Sequence, residues 1–401
     1  MVTREQLLER ICADPDDDAA RLVYADWLEE QGDPRGRYLG LMVRAGQLPR
    51  FDPQRVDLEE QARVLLTGLE KPRRGYLHSW YERGLPADLK ANLTYFLQHH
   101  EHFERLPLRS LEVSFAAQDE LMRLGELPLF SRLCAFSVSP ILPEAIAAVL
   151  PRAPKLRALG LGHARSQPAA DTRALAKELG PGIEELTLTQ LEPSELAPLA
   201  AESVVGRCRS LKLRYLDPTP ALEAAGVLTR LELIGTPPNV RMDDSPRFAK
   251  VTSLTLDASS VGLLGARRWA LEELTLSLYD DLPEQLAPAL GGVSALRVEA
   301  FRWNLALTHA LGPALRELFL GDRVDGAFLA ELAKNRALDG LVSLRTRGAR
   351  LTDAQAAALA EGLPGLRRLT LEHARVEPGP GIRALAARFK HLRTHSGMPH
   401  G

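Results

Sequence analysis

A six-residue phrase, leucine-x-x-leucine-x-leucine or a close variant, recurs along most of this chain and constrains its fold more than any other feature. It reads Ile183-Glu-Glu-Leu186-Thr-Leu188 in one place and Leu366-Arg-Arg-Leu369-Thr-Leu371 in another. The middle apolar residue of the phrase recurs at intervals of 20 to 27 residues. These marker residues are Leu111, Phe136, Leu159, Leu186, Leu211, Leu231, Leu254, Leu274, Leu296, Leu318, Leu344 and Leu369, with Leu89 as an irregular first member and Leu392 as a last one.

The spacing inside the phrase indicates one short β-strand in each copy. Apolar residues alternate with polar ones, so one face of each strand points inward. A single copy cannot bury that face, but stacked copies build a continuous core under a parallel sheet. The intervening segments predict helices at Pro143 to Leu150, Asp171 to Leu179, Ser194 to Ala201 and Thr352 to Glu361. Because outer helices need more room than inner strands, we expect a horseshoe whose sheet is concave.

The phased strands and helices resemble the leucine-rich repeat superfamily, and the helix-bearing copies resemble its ribonuclease-inhibitor-like branch. The resemblance implies an α/β solenoid of about 12 to 13 units over residues 85–401. This chain departs from the family three residues after the last strand leucine, where Asn or Cys usually stands. That position holds Ala164, Leu191, Leu216, Thr236, Ser259, Tyr279, Phe301, Arg323, Ala349 and Ala374. We therefore expect other groups to satisfy the turns, and irregular units with short connectors between about 203 and 310.

Residues 1–84 carry no regular strand phrase and predict a small all-α domain. Thr3 and Gln6 form a capping-box pattern at the start of a first helix. Acidic residues at 16–18 favour the start of a second helix, and Gly32 ends it. Asp-Pro pairs begin two further helices near residues 33 and 52.

The segment from Arg21 to Gly36 resembles a small helical repeat-companion domain that precedes repeat arrays in certain bacterial proteins. The matching residues are Tyr24, Ala25, Asp26, Trp27, Leu28, Gly32, Asp33, Pro34 and Arg35. The resemblance implies a neighbouring repeat array and supplies no activity. Asp26 is either a partner-docking acid or an acid that pairs with Arg35 or Arg37 across a short turn, and we favour the pairing. We expect Tyr24 and Trp27 to lie in the core.

The residue between the last two apolar positions of each phrase faces outward on the predicted concave face. These central residues are Glu112, Ser137, Gly160, Thr187, Lys212, Glu232, Thr255, Thr275, Arg297, Phe319, Arg345 and Thr370. The last copies place a group of cations around one exposed aromatic residue. We predict partner-binding residues at Arg297, Phe319, Arg345, Arg347, Arg368 and Thr370, with Phe319 foremost, because arginine and aromatic side chains commonly anchor interfaces. The alternative is that these charges pair with Glu299, Glu317 and Glu372 and only keep an open face soluble.

Charge and cysteine usage argue against several classes of function. The net charge of -2 lacks the basic excess of a duplex-binding protein. Three widely separated cysteines fit a reducing compartment better than a disulfide framework or a zinc module. The N-terminus lacks an apolar signal segment, and no apolar run reaches the roughly 18 residues of a membrane span. We therefore expect a cytoplasmic protein that binds neither nucleic acid nor membrane.

Recognisable catalytic motifs are absent from the sequence. It contains no Walker-type loop, no His-Glu-x-x-His and no Gly-x-Ser-x-Gly. His99 and His102 share a predicted helical face and could hold a metal ion, but no third ligand is evident. We favour a plain surface helix there, and we predict neither a cofactor nor a metal site.

Together these patterns favour a non-catalytic scaffold or adaptor that binds an unidentified partner protein on the concave repeat face. A regulatory variant is an inhibitor or activator of a partner enzyme, which only the ribonuclease-inhibitor-like resemblance implies. The alternative from another class is an enzyme with an unrecognised site among the N-terminal helices, around Asp26, Asp33 and Arg35. The oligomeric state does not follow from the sequence.

Overall fold

The computed structural model describes most of the chain in two compact units, Met1–Val227 and Leu228–Gly401. The described residues are 2–68, 78–163, 170–202, 204–237, 245–266, 269–278, 286–300, 303, 305–321, 323–389 and 392–394. Three of the positions singled out for the missing asparagines, Ala164, Tyr279 and Phe301, lie outside them. Among the described helices, none is both long enough and apolar enough to cross a membrane.

Four helices form the start of the first unit, as the capping patterns predict. They are α1 Arg4–Ala13, α2 Asp18–Glu30, α3 Arg35–Gly46 and α4 Pro53–Gly68. Thr3 and Gln6 form the predicted capping box, and Asp17 accepts a hydrogen bond from the Ala20 amide at the start of α2. Gly32 follows α2 with a φ of 71°, a left-handed conformation that glycine adopts without steric cost.

The repeat strands of the first unit follow one another in chain order. They are β1 His78–Glu82, β2 Leu85–Asn92, β3 Ser110–Ser114, β4 Ala135–Ser139, β5 Ala158–Gly162, β6 Glu185–Thr189 and β7 Ser210–Arg214. β1 pairs antiparallel with β2, and each strand from β2 onward pairs parallel with the next. The antiparallel strand β1 is an addition that the repeat phrase does not predict.

Helices connect these strands, and three of them lie at the segments predicted from the sequence, 143–150, 171–179 and 194–201. The α-helices are α5 Leu93–Gln98, α6 His100–Glu104, α7 Gln118–Glu126, α8 Pro143–Val149, α9 Arg173–Glu178, α10 Pro193–Ala201, α11 Val204–Arg207 and α12 Thr219–Ala224. Two short 3-10 helices span Pro128–Arg132 and Leu150–Arg152.

The second unit repeats the arrangement with a parallel sheet and a separate two-stranded pair. Its strands are β8 Arg230–Ile234, β9 Ser253–Asp257, β10 Glu273–Ser277, β11 Ala295–Glu299, β12 Glu317–Leu320, β13 Ser343–Arg347, β14 Arg350–Leu351, β15 Arg368–Glu372, β16 Arg375–Val376 and β17 Arg393–Thr394. β14 pairs with β16, and the others form the main sheet in chain order.

The helices in the connectors of the second unit are longer near its C-terminal end than near its start. The α-helices are α13 Ala287–Leu290, α14 Leu305–Ala310, α15 Gly326–Leu332, α16 Asp353–Gly362 and α17 Pro380–Arg388, and 3-10 helices span Pro246–Phe248, Val261–Ala266 and Arg336–Leu338. In the described residues, the connectors between β8 and β11 hold two short 3-10 helices and the four-residue α13, where the sequence predicts short connectors.

The strand register confirms the phase of the repeat phrase. In the first unit each marker from Leu89 to Leu211 lies opposite the next marker. In the second unit the same holds from Leu231 to Leu369. All these marker side chains are buried, so they form the core row beneath the sheet. The fold is an α/β leucine-rich repeat solenoid.

A left-handed residue directly after the strand replaces the missing asparagine in many copies. This residue is Phe115, Gln190, Tyr215, Gly235, Gly348 or His373. In two of these copies its amide donates to a carbonyl of the neighbouring strand: Gln190 to Arg214 at 2.8 Å and Gly348 to Glu372 at 2.7 Å. The next residue is buried, as with Leu191 and Ala349. Backbone hydrogen bonds therefore satisfy the turn, and a buried apolar side chain fills the position of the asparagine.

The N-terminal helices dock on the first repeat strands within the first unit. Arg83 donates to Asp18 at the start of α2 at 2.7 Å, and Arg109 donates to Asp16 at 2.8 Å. At Gly84, whose φ is 84°, an added Cβ would lie 3.0 Å from the Leu39 Cα atom. Glycine is therefore required at this junction. The predicted domain boundary at residue 84 stays a prediction.

Candidate functional site

The predicted partner-binding group lies on the face of the sheet opposite the core, which we call the open face. Arg297 on β11, Phe319 on β12, Arg345 on β13 and Thr370 on β15 are consecutive register partners. Strands in a sheet are about 4.8 Å apart, so this row spans roughly 14 Å. The repeat phase thus brings together residues that are far apart in sequence.

Phe319 is not the exposed aromatic residue that the sequence predicts. Only 7% of its surface is accessible, because arginine side chains from the neighbouring strands cover the ring. The guanidinium carbon of Arg297 lies 4.1 Å from the ring centre, and those of Arg345 and Arg347 lie at 6.0 and 5.8 Å. A guanidinium at such distances is attracted to the ring face. We call Phe319 and these three arginines the arginine–phenylalanine cluster.

Two carboxylates hold the arginines of the cluster. An Arg297 terminal nitrogen donates to Glu299 at 2.6 Å. Glu372 lies between the other two arginines, with its oxygens 3.6 Å from Arg345 Nε and 3.8 Å from Arg347 Nε. Charges do pair on this face, as the alternative interpretation expects, but Glu372 is shared loosely between two cations.

The arginines remain accessible although they cover Phe319. The side chain of Arg297 is 46% exposed and that of Arg345 is 48% exposed. The terminal nitrogens of Arg345 donate no hydrogen bond to any residue in the described part of the chain. The planar face of a guanidinium can rest on an aromatic ring while its edge offers two parallel N–H donors. The exposed chemistry of this site is therefore that of arginine.

The remaining predicted residues lie at the edge of the cluster. Thr370 is 5% exposed, so it is not the exposed central residue that the repeat pattern predicts, and its role in partner binding stays a prediction. In the register Thr370 lies between Arg345 on β13 and Arg393 on β17. Arg368 stands one row away, opposite Ser343, and is half-buried.

The N-terminal motif residues divide between core and surface. Tyr24 is buried in the core of the helical domain, and its ring stacks on Trp27 with centroids 6.2 Å apart. Asp26 is exposed. Asp33 accepts hydrogen bonds from Arg35 Nε and from the Arg35 amide, each at 2.9 Å. Arg35 therefore pairs with Asp33 in its own turn. The pairing expected from the sequence is that of Asp26 with Arg35 or Arg37.

The electrostatics of Asp33 do not suit a catalytic acid. The hydrogen bond from Arg35 lowers the pKa of the Asp33 carboxyl below its ordinary value, despite partial burial. A proton donor at neutral pH needs the opposite shift. Asp33 and Arg35 form a hydrogen-bonded turn before α3, whereas Asp26 lies within α2.

His99 and His100 contact neighbours on their own helical segment. His99 Nδ1 lies 2.9 Å from the Tyr95 carbonyl, and its ring stacks on the Tyr95 ring. His100 Nδ1 lies 3.3 Å from Glu104. Within the described residues, no three potential ligands gather where they could hold a metal ion.

A second set of accessible residues was missed by the sequence reasoning. Phe115 is 77% exposed and Tyr215 is 53% exposed, and both adopt the left-handed conformation directly after their strands. Gly235 and Gly348 occupy the same position in other copies. Aligning the copies would have exposed this signal, because bulky residues replace the glycine that the turn favours.

The buried carboxylate of Glu195 is a structural centre of the first unit. It accepts hydrogen bonds from the Ala170 amide at 2.7 Å and the Glu192 amide at 2.8 Å. His163 Nδ1 lies 3.2 Å from the same carboxylate. Thr172 donates its hydroxyl hydrogen to the Glu195 carbonyl at 2.5 Å. These contacts connect the end of β5 to the starts of α9 and α10.

Comparisons with known proteins find solved structures that have low sequence identity to this chain. One similar structure is a chain of the Rad7 and Elc1 complex in yeast, with 17% identity and a TM-score of 0.44 over 77% of this chain and 85% of that chain. Another is an internalin from Listeria monocytogenes, with 14% identity and a TM-score of 0.31 over 73% and 82% of the two chains. No protein-family model matches the chain, and no curated protein matches it either.

Proposed function

We propose that this protein is a non-catalytic interaction scaffold or adaptor, and that it binds a partner protein on the open face of its repeat sheet. The observation that carries the proposal is the arginine–phenylalanine cluster. Its half-exposed guanidinium groups are already ordered against a buried ring, so binding costs them little side-chain entropy. Arginine in such a setting is a common interface anchor.

The N-terminal helices fit the role of a cap for the repeat array. Arg83 and Arg109 meet the acidic start of α2, and this contact covers the first repeat strands. The motif from Tyr24 to Arg35 supports our assignment of this region to the repeat-companion type found in bacterial proteins. We further propose ribonuclease-inhibitor-like repeats and a cytoplasmic location, the latter because the three cysteines are free thiols.

Affinity capture with charge-reversal variants tests this function. The full chain would be immobilised and exposed to an extract of its own cells, alongside the variant Arg345→Glu. Arg336→Glu is the matched control, because Arg336 is an exposed arginine in a connector of a neighbouring repeat and lies away from the open face.

The expected result is one dominant protein retained by the wild type and by Arg336→Glu but lost from Arg345→Glu. The retained protein would then be purified and its affinity measured with each variant. Equal affinity for all three proteins would remove the cluster from consideration. Turnover of a small molecule by the isolated chain would contradict the non-catalytic assignment.

A further inference from the structure

We infer that the exposed face of α2 is a second docking surface, and that its occupant is an amphipathic helix of a partner protein that carries Lys or Arg beside an apolar stripe. The surface lies on the N-terminal helices, so the inference goes beyond the proposed binding on the open face and does not rest on it. We call this surface the α2 face, and its residues are Ala19, Val23, Asp26, Trp27 and Glu30.

Helices α1 and α3 cover two sides of α2 and leave the α2 face accessible. The buried cluster shared by the three helices consists of Leu7, Ile11, Ala20, Tyr24, Ala25, Leu28, Leu39 and Val43. α3 approaches α2 closely, because at Gly36 an added Cβ would lie 2.5 Å from the Ala25 carbonyl oxygen. The residues of the α2 face follow one another at intervals of three or four, so they share the remaining side of the helix.

Val23 and Trp27 supply the apolar part of the α2 face. Val23 is 50% exposed, and Trp27 lies one turn further along the same side. The Trp27 ring stacks on Tyr24 with centroids 6.2 Å apart, so it is held against the core while part of its surface stays accessible. A tryptophan that is already held in place loses little side-chain entropy on binding, and tryptophan is a common interface anchor.

Asp26 and Glu30 give the α2 face a negative flank. Both residues are exposed, and neither forms a hydrogen bond or an ion pair with any residue in the described part of the chain. Other acids of these helices have partners within the fold, since Asp17 pairs with Arg10. The carboxylates of Asp26 and Glu30 are therefore available to the cations of a partner.

The arginines of the neighbouring helices do not neutralise Asp26. Arg4 Nε donates to the Tyr24 hydroxyl at 3.2 Å, and Arg35 Nε donates to Asp33 at 2.9 Å. Arg37 is exposed and forms no ion pair with a described residue. The pairing of Asp26 with Arg35 or Arg37 that the sequence predicts is thus absent from the described residues, and the fold does not use this carboxylate.

The two carboxylates favour a basic helix over other occupants. A second copy that used the same face would bring like charges together. A nucleic acid or an anionic membrane surface would likewise bring negative charge against Asp26 and Glu30. The face extends from Ala19 to Glu30, about 16 Å along the helix axis, which corresponds to about three turns of a partner helix packed alongside.

Peptide binding to the full chain tests the inference. The probe is a fluorescein-labelled peptide of about 18 residues, long enough to be helical, with Leu on one face and Lys on the other. A second peptide has Glu in place of every Lys. Fluorescence anisotropy would be recorded at about 0.15 M salt, where the Debye length is about 8 Å.

The variants change the apolar part and the charge of the α2 face separately. They are Val23→Ser, Asp26→Lys and the double variant Asp26→Lys/Glu30→Lys. The matched controls are Val64→Ser and Asp57→Lys, which change an exposed valine and an exposed acid on α4. Each variant would be checked for an unchanged circular dichroism spectrum.

We expect the Lys peptide to bind the wild type and both control variants with equal affinity. Val23→Ser and Asp26→Lys should each weaken binding by about tenfold, because the first removes an apolar contact and the second replaces an attraction by a repulsion. The Glu peptide should bind the double variant more tightly than it binds the wild type, a gain that loss of folding cannot produce. Equal weakening by the control variants, or a Glu peptide that does not prefer the double variant, would overturn the inference.

Other occupants of the α2 face would give different results. Self-association of the wild type in sedimentation velocity that Val23→Ser abolishes would assign the face to a second copy and reject the inference. Binding to vesicles of phosphatidylserine and phosphatidylcholine that Val23→Ser abolishes would assign it to a membrane and reject the inference as well. Capture that is insensitive to Arg345→Glu leaves the peptide result standing, because that substitution does not alter the α2 face.

Discussion

Replacing Phe319 by Ala tests whether the ring is buried, as in the structure, or exposed, as the sequence predicts. Only a buried ring contributes substantially to the free energy of unfolding. Burying a phenylalanine side chain contributes about 1.5–3 kcal/mol, and Phe-to-Ala changes in cores cost about 3–5 kcal/mol. Phe319 is 7% exposed, but flexible arginine side chains cover it and can partly collapse into the space. We therefore expect Phe319→Ala to lower the free energy of unfolding by about 3 kcal/mol, at the low end of the core range.

Phe319→Leu separates apolar burial from the arginine–ring attraction. Leucine keeps most of the buried apolar area and loses the contact with Arg297, which is worth about 0.5–1 kcal/mol at an accessible site. We expect a loss of about 1 kcal/mol for Phe319→Leu. The measurement is urea unfolding of the full chain, followed by circular dichroism, with the m-value compared between variants because repeat proteins can lose cooperativity.

Phe115→Ala is the matched control for this prediction. It removes the same side chain from a position that is 77% exposed, so we expect a change within about 0.5 kcal/mol. A loss for Phe319→Ala no larger than that for Phe115→Ala would mean that the arginines do not cover Phe319. The ring would then be the exposed aromatic residue that the repeat pattern predicts.

Three further predictions concern the turns, the buried carboxylate and a thiol. Phe115→Gly should raise the free energy of unfolding by up to about 1 kcal/mol, because relief of the left-handed penalty outweighs the entropy of glycine; a lower urea midpoint would contradict this. Glu195→Ala should cost about 3 kcal/mol, since it removes a fully buried carboxylate that accepts from the amides of Ala170 and Glu192; an unchanged midpoint would show that these contacts are dispensable. Burial raises the pKa of the Cys208 thiol to about 11 from an ordinary value of 9.0, so native protein at pH 8 should resist a thiol-specific reagent at Cys208 and react there only when unfolded. Because the unfolded thiol ionises first, the stability contributed by Cys208 is complete below pH 9.0 and is lost as pH rises toward about 11; fast native labelling of Cys208 at pH 8 would refute the burial.

The sequence by itself determined the repeat architecture, because period and alternation are local properties of the chain. The spacing of the markers is enough to predict which residues pair across neighbouring strands, as the register from Leu296 through Leu318 to Leu344 confirms. Caps such as Thr3 with Gln6 likewise depend on residues close together in sequence, and the helix begins where they predict. The antiparallel strand β1 lacks the phrase, and the pattern therefore missed it.

Only the tertiary structure decided which side chains on the open face are accessible. Alternation predicts that Phe319 and Thr370 point away from the core, but their burial depends on side chains that come from other strands. Long arginine side chains can lie across neighbouring strands and cover a ring, and single-strand patterns carry no information about that direction. For the same reason, the sequence pattern does not show that Arg345 is more accessible than Phe319. In the structure the half-exposed side chain of Arg345 is the more accessible of the two. The exposure of a side chain depends on the side chains of neighbouring strands, whereas the strand register follows from the spacing of the repeats along the sequence.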